Sequence, residues 1–195
     1  MITKKDKKDV NERVSSTLKV DVFNVFATMR IGSIDLQRLA AKINGSVYEP
    51  ETSPSLDVKI EKCLFRMHSS GSIIIFGANE ERVKSSSDRL LKTLRELGVT
   101  FDLKPKLFTH NVATMCKIGK RIRLWKASYI LGDTTYNPEK YSSLVYKMKE
   151  PSVTFQLFPD GTIVCLGVRD KRKAIEAISA LIRELEDLGL LERMP

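Results

Sequence analysis

Residues 136–149 read YNPEKYSSLVYKMK, and residues 48–61 read YEPETSPSLDVKIE. Both begin Tyr-x-Pro-Glu and both pass through a Ser-containing stretch into an extended pattern. A motif stated twice calls first for a search for internal repeats, because a missed repeat misassigns the whole fold. Working outward, Asn24 and Asn111 are 87 positions apart, Tyr48 and Tyr136 are 88 apart, and Gly77 and Gly167 are 90 apart. Three pairs in order at a slowly drifting offset mark a duplication with a small deletion near Glu61. The chain divides into a polar tail at 1–17, a first repeat at 18–104 and a second repeat at 105–195. The tail's composition predicts disorder when it is free.

Each copy follows one plan. An extended run opens it, VFNVFATMRIG (22–32) or HNVATMCKIG (110–119). In the first copy Leu36, Leu39, Ala40 and Ile43 then give helical spacing, with Asp35 as N-cap and Asn44-Gly45 as the stop. The equivalent RIRLWKASYILG of the second copy is less clear. Short strands rich in β-branched and aromatic residues come next: CLFRMH and SIIIFG around Ser69-Ser70-Gly71, SVTFQLF and GTIVCLG around Pro159-Asp160-Gly161. A long amphipathic helix closes each copy. Val83, Leu90, Leu94 and Leu97 lead to Gly98, and Ile175, Ile178, Ile182, Leu185 and Leu188 lead to Gly189. The order strand, helix, strands, helix, stated twice, predicts an α+β fold with helices gathered on one face of an antiparallel sheet.

Bulk properties narrow the function classes. With 33 basic and 24 acidic residues the chain carries a net charge of +9, which favours a polyanionic partner over a merely solvated lysine-rich surface. Cys63, Cys116 and Cys165 are too scattered for a disulfide framework or a zinc site, which predicts a reducing compartment. The N-terminal MITKKDKKDVNERVSST has no apolar core of the kind a secretion signal needs, and no run suits a membrane span. The expectation is an intracellular, soluble protein with no membrane partner. Without a P-loop or a metal-ligand cluster, and with only His68 and His110 as histidines, no catalytic residue, metal, cofactor or small-molecule substrate is expected.

Alternation along the strands sorts side chains into two faces. Val153, Phe155, Leu157, Cys63, Phe65, Met67, Ile73, Ile75, Ile163, Cys165, Val25, Ala27, Val112, Thr114 and Cys116 are assigned to the helix side. That leaves Thr154, Gln156, Phe158, Leu64, Arg66, His68, Ile74, Phe76, Val164, Leu166, Asn24, Phe26, Asn111 and Ala113 on the opposite face. All three cysteines fall on the inner side, as buried free cysteines do.

With these residues in place, the chain resembles the TATA-box-binding protein family. The second copy carries the resemblance: YNPEKYSSLVYKMKEPSVTFQLFPDGTIVCLG is similar to the family's Y-x-P-E-x-F-P-x-L-I-Y-R-M pattern and the strands that follow it. The first copy keeps NVFATMRIG, IDLQRLA and YEP and then drifts. The resemblance implies a two-repeat saddle, a curved antiparallel sheet of about ten strands with helices on its convex side. The concave side of such a saddle grips the DNA minor groove and drives phenylalanine pairs between base steps, a behaviour for which this family is the standard example.

Carried over residue by residue, the resemblance implies a DNA-binding set of Asn24, Phe26, His68, Phe76, Asn111, Ala113, Tyr141, Phe158, Val164, Leu166, Lys59, Lys147 and Arg169. Asn24 and Asn111 match paired asparagines that donate to the N3 and O2 acceptors of A·T pairs. Tyr141 and Phe158 occupy the wedge positions of the second repeat; Ser53 and His68 occupy those of the first, and neither is a good apolar wedge. Two threonine positions have become Phe76 and Leu166, which cannot donate. Arg66, Thr154 and Gln156 replace apolar residues, making this face more polar and more basic. Lys59, Lys147 and Arg169 match phosphate contacts, whereas Ser72, Asn79 and Thr162 replace charged ones, so the salt dependence should be shallow.

Two function classes follow. The first is a transcription initiation factor binding A·T-rich double-stranded DNA in the minor groove, with insertion led by the second repeat. It would recruit a TFIIB-like factor through Asn137, Pro138, Glu139 and Lys140, with a TFIIA-like factor as a further partner. It would act in the nucleus, or wherever the cognate transcription takes place. The second is a divergent relative that keeps the fold as a protein-docking platform without TATA-specific binding. The basic stretch KIGKRIRLWK (117–126) contains no acid and favours an acidic partner protein over flanking DNA.

Overall fold

Antiparallel pairing with one apolar face accounts for most of the strand boundaries. The computed structural model describes residues 18–101 and 105–194, so the tail expected at 1–17 lies outside the described residues. The described chain forms two compact units, Phe23–Val112 and residues 18–22 with 113–194. In the first unit lie most of β1 (Val20–Arg30), α1 (Leu36–Ala40), β2 (Val47–Tyr48), β3 (Ser55–Ile60), β4 (Cys63–His68), β5 (Ser72–Gly77), α2 (Glu80–Glu96) and the first half of β6 (Phe108–Lys117). Their strand order is β2-β3-β4-β5-β1-β6.

The second unit holds the rest of β6, then β7 (Lys120–Ile122), α3 (Leu124–Ile130), β8 (Thr134–Thr135), β9 (Leu144–Met148), β10 (Val153–Leu157), β11 (Thr162–Val168), α4 (Lys171–Asp187) and β12 (Leu191–Arg193). Here the order is β6-β11-β10-β9-β8, with β12 and β7 forming a separate two-stranded sheet. The α+β class is as expected, and RIRLWKASYILG resolves into the end of β7 followed by α3. Among the described residues no helix is long and apolar enough to cross a membrane.

The N-cap expected at Asp35 forms, and the two long helices have side-chain caps that the sequence reading did not assign. Asp35 caps α1 by accepting from the Arg38 amide at 2.9 Å, Asn79 caps α2 through the Arg82 amide at 2.9 Å, and Asp170 caps α4 through the Lys173 amide at 2.8 Å. Glycines in the left-handed region follow the two long helices, Gly98 at φ 84° and Gly189 at φ 60°. α1 is shorter than its apolar spacing predicts, ending at Ala40 with Ile43 only half-buried. The buried stripes are also broader than the predicted ones. α2 adds Leu91, and α4 buries Ala174, Ala177 and Leu181 while Ile175 is half-buried and Leu188 is exposed.

The predicted core assignments hold at every strand position: Phe65, Phe155, Ile73, Ile75, Ile163 and Leu157 are wholly buried, and the three cysteines are buried and free. Burial pushes the Cys116 and Cys165 thiols up to about 12, so they are inert. The drift in the repeat offset has a visible cause. Ile60 pairs with Cys63 across a two-residue connection, whereas Met148 pairs with Val153 across four. The shorter turn needs a left-handed residue, supplied by Glu61 at φ 55°.

Gly71 turns β4 into β5 at φ +77°, and a Cβ there would lie 1.6 Å from the Gly32 carbonyl oxygen. Gly71→Ala should therefore lower unfolding free energy by at least about 2 kcal/mol, combining left-handed strain with backbone displacement. At Gly45 (φ +75°) nothing lies within 4 Å of the added carbon, so the same change should cost only about 1 kcal/mol. Urea unfolding of the two variants checks the difference, and equal losses would remove the close approach as its cause.

Candidate nucleic-acid interface

With the helix side filled, each unit presents its other strand face to solvent. On the first unit, cross-strand registers build two rows. Lys59 faces Leu64, Leu64 faces Phe76 and Phe76 faces Phe26; beside them Asp57 faces Arg66, Arg66 faces Ile74 and Ile74 faces Thr28. Ser55 faces His68 across β3 and β4, and Arg30 faces Ser72 across β1 and β5. Of the sequence-assigned residues in this unit, Asn24 and Lys59 are exposed, Phe76 is 37% exposed, and Phe26, His68 and Asn111 are half-buried.

The rings on this face gather rather than stand apart. Phe26 and Phe76 lie 5.4 Å apart at a 34° tilt, and Phe26 and His110 lie 5.4 Å apart at 38°. His110 Nε2 is 2.7 Å from Thr28 Oγ1. Sequence reasoning missed His110 as a surface residue of this face, because alternation back from Val112 and Thr114 assigns it to the helix side. The signal was present, since a histidine at a core phase is a conflict that a break in alternation relieves. The result is a three-ring aromatic patch of Phe26, Phe76 and His110 on this face.

Arg66 is the second departure. Its Nε and Nη2 donate to Asp57 Oδ1 and Oδ2 at 2.9 and 2.8 Å, a bidentate pair directly across β3 and β4. The Arg66 hydrogen bond, with its charge, holds the Asp57 carboxyl below the ordinary range for aspartate, and it raises Arg66 in turn. Hence the expected gain in basic character is largely cancelled at this position, because the guanidinium is already matched.

On the second unit the equivalent rows are less charged. Lys147 faces Thr154 and Thr154 faces Leu166, while Val145 faces Gln156 and Gln156 faces Val164. The Gln156 amide donates to Ser143 Oγ at 2.8 Å. Lys147 and Arg169 are exposed, Leu166 and Phe158 are half-buried, and Tyr141 is 66% exposed. Ala113 and Val164 are almost closed to solvent, at 4% and 8%, because neither side chain reaches beyond its longer neighbours.

Local hydrogen bonds show that Ser53 and Tyr141, and likewise His68 and Phe158, stand at equivalent places in the two repeats. Ser53 N donates to Glu49 O at 2.8 Å, and Tyr141 N donates to Asn137 O at 2.9 Å, so the two residues close the same turn in the two repeats. Likewise the Gly71 amide donates to His68 O, and the Gly161 amide to Phe158 O. Ser53 Oγ is spent on Ser55 Oγ at 2.7 Å. Of the uncharged replacements, Asn79 caps α2, and Thr162 donates from its amide to Asp160 at 3.0 Å; both serve local structure.

The basic stretch 117–126 is less cationic than its sequence implies. Lys117 pairs with Asp160 at 3.1 Å, Lys120 with Glu186 at 2.7 Å and Arg123 with Glu192 at 3.4 Å, leaving Arg121 and Lys126 without an ion-pair partner among the described residues. Asn137, Pro138, Glu139 and Lys140 are all exposed, with the Asn137 side chain accepting from the Glu139 amide at 3.2 Å.

Comparison with known proteins bears on both repeats. The profile described as "Transcription factor TFIID (or TATA-binding protein, TBP)" matches residues 19–97 and 107–188. Among curated relatives, a TATA-box-binding protein of Haloarcula marismortui is 33% identical over 182 residues, covering 89% of this chain and 96% of that one. The TATA-box-binding protein of Thermococcus kodakarensis is 29% identical over 181 residues, with 91% and 95% covered. Both are archaeal, so a nuclear location gains no support from them. Among solved structures, Methanococcus jannaschii TBP superposes with a TM-score of 0.81 at 24% identity, over 87% of this chain and 99% of that chain, a likeness of fold.

The Asp57–Arg66 pair has a pH signature. A carboxyl held below its unfolded value stabilises the fold fully above that value, about pH 4, and the contribution is lost as pH falls through the lower folded value. The stability gap between the unchanged chain and Asp57→Asn should be level from about pH 5 to 7 and narrow below about pH 4. Chemical denaturation across that range checks it; a gap that widens toward acid would contradict the sign.

Proposed function

Because the chain belongs to the TATA-binding protein family, whose members are transcription factors and not enzymes, we propose that it binds promoter DNA in the minor groove and recruits a TFIIB-like factor, with insertion led by the second repeat. The observation that carries this reading is the asymmetry at matched positions. Tyr141 and Phe158 stand where Ser53 and His68 stand in the first repeat. A ring inserted between base steps trades solvent contact for stacking, which Tyr141 and Phe158 suit. Serine offers too little surface, and histidine loses solvation on insertion.

The rest of the set has assigned work. Asn24 and Asn111 donate to A·T acceptors on the groove floor. Lys59, Lys147 and Arg169 are exposed cations for phosphates. Three such contacts correspond to a slope of about −2.7 in log K against log salt. The exposed 137–140 loop receives the TFIIB-like factor, and a TFIIA-like factor is the further partner. Action is wherever the cognate promoters are transcribed.

A second reading is favoured by the Phe26–Phe76–His110 patch, which offers no donors to an A·T floor beyond the His110 ring. On it, the fold serves as a protein-docking platform and TATA DNA is not kinked. Selection of duplexes from a random pool, with bend angle and salt slope measured on the winners, separates the two. Enrichment of an A·T-rich motif that the protein bends is expected. Phe158→Ala should then weaken binding about tenfold or more and reduce the bend, while His68→Ala changes affinity less than about threefold. Equal losses, or a pool with no enriched motif, would favour the platform.

A further inference from the structure

We propose that Asp57 is a specificity determinant of the first unit's strand face: it holds Arg66 in a bidentate pair that cancels the charge of that cation toward an uninterrupted A·T duplex. The inference rests on the minor-groove reading above. Asp57 shares its face with Lys59, two residues along β3, and Arg66 shares its face with His68, two residues along β4; Leu64 and Ile74 complete the neighbourhood. Arg66 Nε and Nη2 each donate to an Asp57 carboxylate oxygen, at 2.9 and 2.8 Å, so the pair carries no net charge toward a phosphate, although Nη1 is not engaged by Asp57.

The chemistry of the groove sets the direction. An A·T pair exposes only acceptors there, adenine N3 and thymine O2, and phosphates likewise only accept. An ionised carboxylate is also acceptor-only, so Asp57 opposes both. A G·C pair adds one donor, the guanine N2 amino group, which a carboxylate tolerates. The second unit lacks this device: Val145 and Gln156 occupy the matching places, and Gln156 is engaged by Ser143. The charge pair therefore penalises A·T-rich DNA at one repeat and leaves the other indifferent, which adds an electrostatic cause to the asymmetry of the wedges.

The test compares the unchanged chain with Asp57→Asn, Asp57→Val and Arg66→Gln, each checked for folding by thermal melting. Affinity is measured by fluorescence anisotropy over a salt series, on an all-A·T duplex and on the same duplex with G·C substitutions. Asp57→Asn and Asp57→Val are expected to bind the all-A·T duplex about tenfold more tightly, with a salt slope steeper by about 0.9, and to gain less on the G·C-containing duplex. Arg66→Gln, which leaves Asp57 unmatched, should weaken binding to the all-A·T duplex. Measurable binding by the unchanged chain with no gain in either folded Asp57 variant overturns the proposal alone. Absence of binding to either duplex by every protein overturns the minor-groove reading and this proposal together.

Discussion

Burial of one strand face beneath a seventeen-residue helix constrains everything else in each unit. Phe65 lies wholly buried in one unit and Phe155 in the other, and removing such a side chain typically costs 3–5 kcal/mol, roughly. Because successive strand residues point to opposite faces, fixing the phenylalanine inward fixes its neighbours outward. Leu64 and Arg66 are thereby committed to solvent in one repeat, and Thr154 and Gln156 in the other. The core thus decides which residues are available for recognition without touching a ligand.

Divergence between the copies is concentrated on the face that the core leaves free. The helix side stays largely apolar in both, with Val25, Ala27, Val112 and Cys116 all buried and Thr114 a buried polar exception. On the free face a serine and a histidine stand against a tyrosine and a phenylalanine, and Asp57 with Arg66 stands against Val145 with Gln156. Packing tolerates little change of volume, whereas a solvated face tolerates change of charge and size at small cost in stability. A duplicated fold can therefore keep its architecture while its two surfaces acquire different chemistry.

Charge provides the clearest case of a reading that sequence order distorts. KIGKRIRLWK shows five cations and no acid, yet three of those cations meet carboxylates of Asp160, Glu186 and Glu192. Arg66 reads as a gain of positive charge until Asp57, nine residues earlier, closes on it across the hairpin. Surface pairs of this kind contribute little stability, commonly below about 1 kcal/mol, but they decide how much charge remains for a polyanion.

The amino-acid sequence alone determined the duplication, the α+β class, the helix caps at Asp35 and the glycine stops, and the partition of nearly every strand residue between two faces. Each of these depends on local spacing, which period-two and period-3.6 patterns carry directly. It also determined the family resemblance, through one motif string in the second repeat. Tertiary structure decided the rest. It joined His110 to Phe26 and Thr28, paired Arg66 with Asp57, turned Leu188 outward on α4, and confirmed Ser53 as the counterpart of Tyr141 through a shared turn. Those outcomes depend on contacts between elements or on a break in alternation, and no periodicity in a single segment encodes which distant side chain will meet it.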